Sequence, residues 1–350
     1  MIIENTMRNI EKTYHYRKNF DKCLAIGELE PKIDGAVIQS NSSVSIQEAD
    51  KLFKEFVMKE TNFTEEDYLK IIGSVKKIST FDFLSNSYLS NISLNEIIGK
   101  DGLKLNQIFY KQNEFVILDE PTQDEELLRH YQFGMFDAPA FSYSLSKNDM
   151  VWMSINPMEI NTAKTAINHA HGNVLVLGGG LGYYPYMISL KDNVDKIVII
   201  EKDSSIIELL ETFILPQFPN KKVSIIQADS FEYLNHPGED INKEFDFVYI
   251  DTWPDNVIGL EEYKKYVKYE SKYPNLKFDY WLENSLLDSV IINIYQYISA
   301  KLGTTETQNL YEMMIPDIWE KLEKQTDRIS RPDQIKYYLT RNYAKNILKM

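Results

Sequence analysis

Cysteine is nearly missing from this chain of 350 residues. Cys23 stands alone, which excludes an intramolecular disulfide and a zinc site built from cysteines. A lone thiol suits a reducing cytoplasm, the expected location. Long apolar runs are missing as well. None approaches the ~20 residues that a membrane span needs, so no membrane partner is expected. The opening MIIENTMRNIEKTYHYRKNF is charged throughout and lacks the apolar stretch of a secretory signal. Positive charge is in deficit: 38 Lys and Arg against 52 Asp and Glu leave a net −14. Phosphate binding rests on Lys and Arg, so this balance argues against a broad grip on nucleic acid. The last thirty residues reverse the sign by about five charges and read as a solvated helical face.

Missing motifs exclude further chemistries. His15, His130, His169, His171 and His236 share no metal-ligand spacing, and no metal is expected. No G-x-S-x-G elbow occurs, and no lysine follows the glycine-rich stretch in the phosphate-binding order. Hydrolase and nucleoside triphosphatase readings fall away. EEYKKYVKYESKY reads as an amphipathic helix with a solvated charged face.

What is present divides the chain into three parts. Residues 1–148 read as a mainly helical N-terminal domain with a few strands. SIQEADKLFKEF opens with Ser45 and Glu48 in capping-box spacing and predicts Leu52, Phe53, Phe56 and Val57 inward. TEEDYLKIIGSVKKI starts the same way at Thr64, with Tyr68, Ile71, Ile72 and Val75 inward. FVILD predicts a strand, FGMFDAPAFSYSL a connector, and DMVWMSI a strand leading into a helix from about Glu159 to Ala170.

Residues 149–303 carry a regular strand–helix beat. NVLVLG, DKIVIIEK, KVSIIQA, FDFVYID and FDYWLE predict strands, separated by helical segments such as SSIIELLETFI. Near-continuous Val/Ile runs alternating with amphipathic helices predict a doubly wound α/β domain with a mostly parallel sheet covered on both faces. LLDSVIINIYQYISAKL predicts a long helix, and residues 304–350 read as a helical extension.

In such a sheet, ligands bind beyond the carboxyl ends of the strands. Gly178, Gly179, Gly180 and Gly182 sit at one such end. Gly178 suits the tight turn, Gly180 close approach of a ligand to the backbone, and Gly182 a helix start near the strand. Glu201 ends the next strand about twenty residues on, where an acid receives two ribose hydroxyls. Lys202 stands beside it as a neutralising alternative. The glycine spacing is G-x-G-x-G, not the dinucleotide G-x-G-x-x-G, and Tyr183 takes the place of the last glycine. Tyr183 and Tyr184 at the helix start would obstruct a diphosphate, so a nucleoside without one is expected. Asp229 ends the third strand and also suits an N-cap for SFEYL.

VLVLGGGLG, IIEKD, QADSFEYL and FDFVYIDTWPD together resemble the class I S-adenosylmethionine-dependent methyltransferase pattern. Their order and spacing also resemble the polyamine aminopropyltransferases of the spermidine-synthase type. SINPMEINT, LGGGLGYYPYM, DTWPD and DYWLE are similar to stretches of uncharacterised bacterial methyltransferase-like proteins. The resemblance spans about residues 150–285. It implies a Rossmann-like fold binding S-adenosylmethionine or its decarboxylated form. By that resemblance the glycines would line the methionine side, Glu201 would hold the ribose, Asp229 would accept from the adenine amino group and Phe231 would lie near the ring, with Tyr183, Lys202 and Ser230 also among the nucleoside-binding residues.

DTWPD brings Asp251, Thr252, Trp253 and Asp255 to the same rim. Displacement at a sulfonium needs mainly alignment and exclusion of water, with a base where the acceptor is an amine or hydroxyl. Asp251 is the expected base or amine-orienting acid and also lies among the nucleoside-binding residues. Trp253 is the expected apolar or cation–π wall. Glu159, Asn161 and Thr162 reach toward the methionine end or belong to a buried connector. The leading expectation is a methyltransferase acting on a small molecule or peptide. The alternatives are an aminopropyltransferase-like enzyme using decarboxylated S-adenosylmethionine, favoured by an acidic pocket at Asp251 and Asp255, and a non-catalytic nucleoside-binding protein. Oligomeric state stays open, a homodimer included.

Overall fold

The computed structural model describes residues 2–40, 42–94, 97–98, 102–148, 150–237, 240–254, 256–302, 315–325 and 332–350. Its centre is a sheet of five parallel strands: Gly172–Leu177, Val194–Glu201, Val223–Gln227, Phe247–Ile250 and Lys277–Tyr280. In space they run third, second, first, fourth, fifth, so the order reverses beside the first strand. The crevice of such a sheet opens at that reversal.

The apolar runs fold this way because both faces are covered. Val174, Val176, Ile197, Ile199, Phe247 and Tyr249 point to one side, under Ala166, Tyr184 and Ile188 of the neighbouring helices. Leu175, Leu177, Val198, Ile200, Val248 and Ile250 point to the other, against Tyr263, Leu286 and Ile294. Full burial of each such side chain contributes about 1.5–3 kcal/mol, which also fixes register, since a one-residue slip would exchange the two faces. The doubly wound α/β expectation is met.

Several local expectations need correction. FGMFDAPAFSYSL is not a connector but two strands, Phe133–Phe136 and Ala140–Lys147. Pro139 lies in the turn between them, so its missing N–H removes no ladder bond. The longer strand pairs antiparallel with Leu103–Tyr110 and with Met150–Ser154. In the Ile46–Thr61 helix, Ser45 Oγ accepts from the Glu48 N–H at 3.2 Å as expected, but Leu52 and Phe56 are exposed. Ala49, Phe53 and Val57, spaced four apart, face the core instead. The Glu65–Ile71 helix has the full capping box of Thr64 and Asp67, with Tyr68, Ile71, Ile72 and Val75 buried.

SSIIELLETFI is not one regular helix. It runs as α-helix over Ser204–Leu209, widens to a π-turn over Leu210–Ile214 and tightens over Leu215–Gln217. The charged run after Asn256 is amphipathic, as expected. Tyr263 and Tyr266 are fully buried, because their three-residue spacing puts both rings on the sheet side of the Asn256–Tyr266 helix. Beyond the long Glu283–Lys301 helix, Pro316–Gln325, Pro332–Tyr338 and Arg341–Lys349 are helical. Arg341 grips the buried Asp288 with two hydrogen bonds of 2.8 and 3.1 Å, tying the last helix to the long one. Gly303 and residues 304–314 lie outside the described residues. Among those described, no helix is long and apolar enough to cross a membrane.

Candidate active site

A cavity of about 400 Å³ opens at the carboxyl ends of the strands, beside the reversal of strand order. Gly178, Gly179, Gly180, Gly182, Tyr183, Glu201, Lys202, Asp229, Ser230, Phe231, Asp251 and Trp253 all line it. The residues singled out in the sequence therefore share one wall, although they span more than seventy positions.

The glycine loop closes that wall tightly. Gly178 has φ +98°, and a Cβ there would lie 2.0 Å from the Asp251 carbonyl oxygen. Only glycine lets the tips of the first and fourth strands pass so closely. Gly182, at φ +73°, lies against Ile214, while Gly179 faces Leu210. The π-turn thus wedges its two apolar side chains beneath the loop. Gly180, at φ +51°, would meet only the Met153 sulfur, so the backbone there stays open to a ligand.

Glu201 anchors the loop. Its Oε2 accepts from the Gly179 N–H at 2.9 Å and its Oε1 from the Asp203 N–H at 2.8 Å. A carboxylate has about four lone-pair sites, so each oxygen keeps capacity for a ribose hydroxyl. Lys202 is exposed at the rim. Lys147 reaches in from the antiparallel sheet, 2.6 Å from Asp203 and 4.7 Å from the centre of the Trp152 ring.

The tyrosines at the helix start are held by the protein rather than standing free. Tyr184 stacks on Tyr249 with centroids 3.8 Å apart and donates to the Ala166 carbonyl. Tyr183 accepts from Asn86 at 3.1 Å and packs against Tyr88, whose hydroxyl donates to the Leu181 carbonyl within the loop. The segment Ser87–Asn91 therefore fixes the glycine loop from the N-terminal side.

At the opposite end, Asp229 caps the Ser230–Asn235 helix. One of its oxygens accepts from the Phe231 and Glu232 N–H groups, leaving the other free. Phe231 stacks on Tyr266 at 4.2 Å, and the Lys265 ammonium lies over its ring at 5.8 Å from the centroid. Tyr266 is held by Ser230 and Thr252, and Thr252 donates to Glu262 at 2.7 Å. Tyr266 and Glu262 line the cavity from a helix whose amphipathic pattern alone does not point to the site.

Asp251 and Glu159 form the acidic end. Burial pushes the Asp251 carboxyl up to about 7. Burial, and then the negative charge of Asp251, pushes Glu159 up to about 8. Glu159 accepts from Ser154 Oγ at 3.0 Å, and its backbone N–H donates to the Asn156 cap. Thr162 accepts from Trp281 Nε1 at 3.2 Å and donates to the Glu159 carbonyl. Asn161 turns away, donating to the Leu118 carbonyl at 2.6 Å. Trp253 is almost fully buried and wedged against Gly259, where a Cβ would come within 2.6 Å of the indole. Its Nε1 has no partner among the described residues. Asp255 lies outside the described residues. Trp281 follows the fifth strand directly, so the strand-end rule was the signal that would have found it. No cluster of three metal-ligating side chains occurs among the described residues.

The parallel sheet, its order and the cavity at its reversal define a doubly wound, Rossmann-like fold. Residues 160–277, about a third of the chain, match the spermine/spermidine synthase domain family. No curated protein matches the chain. A spermidine synthase crystallised with the transition-state analogue AdoDATO is 16% identical, with a TM-score of 0.30 over 60% of this chain and 81% of its own. The spermidine synthase of Thermotoga maritima is 15% identical, with a TM-score of 0.30 over 74% of this chain and 98% of its own. The domain match corrects the leading functional expectation. Methyl transfer gives way to the alternative, aminopropyl transfer.

Proposed function

We propose that this chain is an aminopropyltransferase that binds decarboxylated S-adenosylmethionine and transfers its aminopropyl group to a small amine. The domain match supports the reading, and one observation carries it: two acids, Glu159 and Asp251, line the cavity beyond the glycine loop. The cations among the described lining residues are Lys147 and Lys202, and Lys147 is already paired with Asp203. Once these acids are ionised, as they are above about pH 8, a methionine carboxylate at that end would meet like charge. Like charges about 4 Å apart repel by roughly 4 kcal/mol at an effective dielectric of 20. A tail ending in an ammonium meets opposite charge instead.

The residues fit such a nucleoside. Glu201 has an unused lone pair on each oxygen for the ribose, Asp229 has a free oxygen for the adenine amino group, and Phe231 lines the same end of the cavity. Bound there, the nucleoside supplies a sulfonium whose propyl carbon is open to displacement. Asp251 takes the proton of the attacking amine as the nitrogen–carbon bond forms and the carbon–sulfur pair leaves with sulfur. A base with a value near 7 is matched to that task at neutral pH. Tyr183, the glycines, Lys202 and Ser230 complete the nucleoside wall, and Trp253 is an apolar side of the transfer end. In this reading residues 149–303 hold the donor, with 1–148 and 304–350 flanking the cleft.

The test is incubation with decarboxylated S-adenosylmethionine and 1,4-diaminobutane, followed by mass spectrometry. Stoichiometric methylthioadenosine and an aminopropylated amine are expected. Absence of both across a series of diamines, from folded protein, sinks the proposal.

A further inference from the structure

We propose that Lys345, on the last helix, is a positioning residue for the strand-end cavity: through Glu283 it holds the strained turn that carries Trp281 into that cavity. The role depends on the cavity being the ligand site, as the proposed function has it, and not on which group is transferred there.

Trp281 directly follows the Lys277–Tyr280 strand and lines the cavity. Its N–H donates to the Ile250 carbonyl at 2.9 Å, one residue before Asp251, and its Nε1 donates to Thr162 Oγ1 at 3.2 Å. Leu282, next in the chain, is left-handed, with φ +54° and ψ +29°. Leucine disfavours that region because its Cβ crowds the backbone carbonyl. Strained residues persist where their surroundings over-determine them, and they cluster at working sites. Leu282 also opens the Glu283–Lys301 helix with no side-chain cap of its own. Other groups must fix the turn.

Glu120 acts just beyond it, accepting from the Ser285 N–H at 3.2 Å and from Ser285 Oγ at 2.9 Å. Lys345 acts on the residue that touches Leu282. Its Nζ lies 2.7 Å from Glu283 Oε1 and 2.8 Å from Glu270 Oε1. Tyr263 donates to the same Glu283 oxygen at 2.6 Å, and Tyr280 to the same Glu270 oxygen at 3.0 Å. The two tyrosine rings meet edge to face at 4.9 Å, and the Lys345 ammonium lies 5.3 Å from the Tyr280 ring centre. The charged side chains are largely buried, where salt screens an ion pair weakly.

Two walls of the cavity meet in this network. Tyr280 precedes Trp281, while Tyr263 shares the Asn256–Tyr266 helix with Glu262 and Tyr266, which line the cavity. The last helix supplies the cation by its period. Arg341, Lys345 and Lys349 recur every four residues and face Asp288, the Glu283–Glu270 pair and Glu270 in turn. These three charges are turned inward, and not to solvent as the charge excess of the last thirty residues suggests. Lys345 is the one that reaches Glu283.

The experiment labels the full chain with 5-fluorotryptophan and records fluorine NMR. Trp281→Phe assigns the Trp281 signal among those of the four tryptophans. Lys345→Met is expected to shift or broaden that signal and leave the Trp152 signal in place. Lys345→Arg, still able to bridge both acids, is expected to restore it. Arg341→Lys loosens the grip on Asp288 without touching Glu283, so it should lower the Tm and leave Trp281 unmoved. By calorimetry, the Kd of methylthioadenosine should rise at least threefold in Lys345→Met and return within twofold of wild type in Lys345→Arg. An unmoved Trp281 signal or an unchanged Kd in Lys345→Met overturns the inference. So does an equal displacement of Trp281 in Arg341→Lys, which marks simple docking of the last helix. Wild type that binds methylthioadenosine yet transfers nothing removes the proposed function and leaves this role standing on the variants. Wild type that binds no methylthioadenosine removes both.

Discussion

Glu201 Oε2 lies 2.9 Å from the Gly179 amide nitrogen, so the acid at the end of the second strand holds the loop at the end of the first. The same carboxylate therefore shapes the loop and presents itself to a ribose. Glu201→Gln keeps the shape but can accept through only one oxygen. Hydrogen bonds to a charged group contribute about 1.5–3 kcal/mol, so nucleoside affinity should fall roughly 10- to 100-fold. Calorimetry with methylthioadenosine checks this, and an unchanged affinity would separate Glu201 from the ribose.

Asp251→Asn should leave that affinity nearly intact and cut turnover. Loss of a positioned base costs typically 10²–10⁴-fold in rate. In wild type, kcat/KM should fall on the acid side of about pH 7, where burial holds the Asp251 carboxyl protonated. A profile flat down to pH 5 would remove Asp251 from proton transfer.

The same two acids make a prediction about stability. Folding raises both above their ordinary carboxylate values, so the folded chain binds more protons than the unfolded chain between about pH 4 and 8. Their contribution is fully present below the unfolded values and is lost as pH rises through the folded ones. Asp251→Asn and Glu159→Gln should therefore raise the Tm at pH 8 and change it little at pH 4. Cavity water reaches part of each group, so the gain should be about 1 kcal/mol, well below the 1.4 kcal/mol per unit of an unscreened shift. Thermal unfolding at the two pH values decides it, and a larger gain at pH 4 would reverse the sign.

Gly178→Ala tests the close approach of the two strand tips. The added Cβ would sit 2.0 Å from a backbone oxygen, at a φ that alanine avoids. The strand ends must separate, and both nucleoside binding and Tm should drop sharply. Gly180→Ala, where a Cβ meets only Met153 at 3.6 Å, should lose less stability. Equal effects would mean that the approach seen at Gly178 is unimportant.

Much of this site was legible in sequence because strand ends converge in a parallel sheet. Gly178, Glu201, Asp229 and Asp251 each close a strand, and the apolar runs before them announce those strands. Position along the run is then position on the rim. Glu159, Trp281, Tyr266 and Glu262 were harder, since they reach the cavity from helices or from beyond a strand. Their faces depend on how those helices dock, which local pattern does not encode. The FGMFDAPAFSYSL strands were hidden for another reason. Proline and small residues at their junction read as a loop, while the aromatic residues on either side carry the strand signal. The π-turn at Leu210–Ile214 has no sequence mark that we identify; its apolar side chains fit either helix form.

The acid-lined end of the cavity should select a donor without a carboxylate. Competitive calorimetry with decarboxylated and carboxylated S-adenosylmethionine at pH 8, where Asp251 is ionised, tests it directly. The decarboxylated form should bind at least tenfold more tightly, with the gap shrinking in an Asp251→Asn, Glu159→Gln double variant. Equal or tighter binding of the carboxylated form by wild type would contradict it.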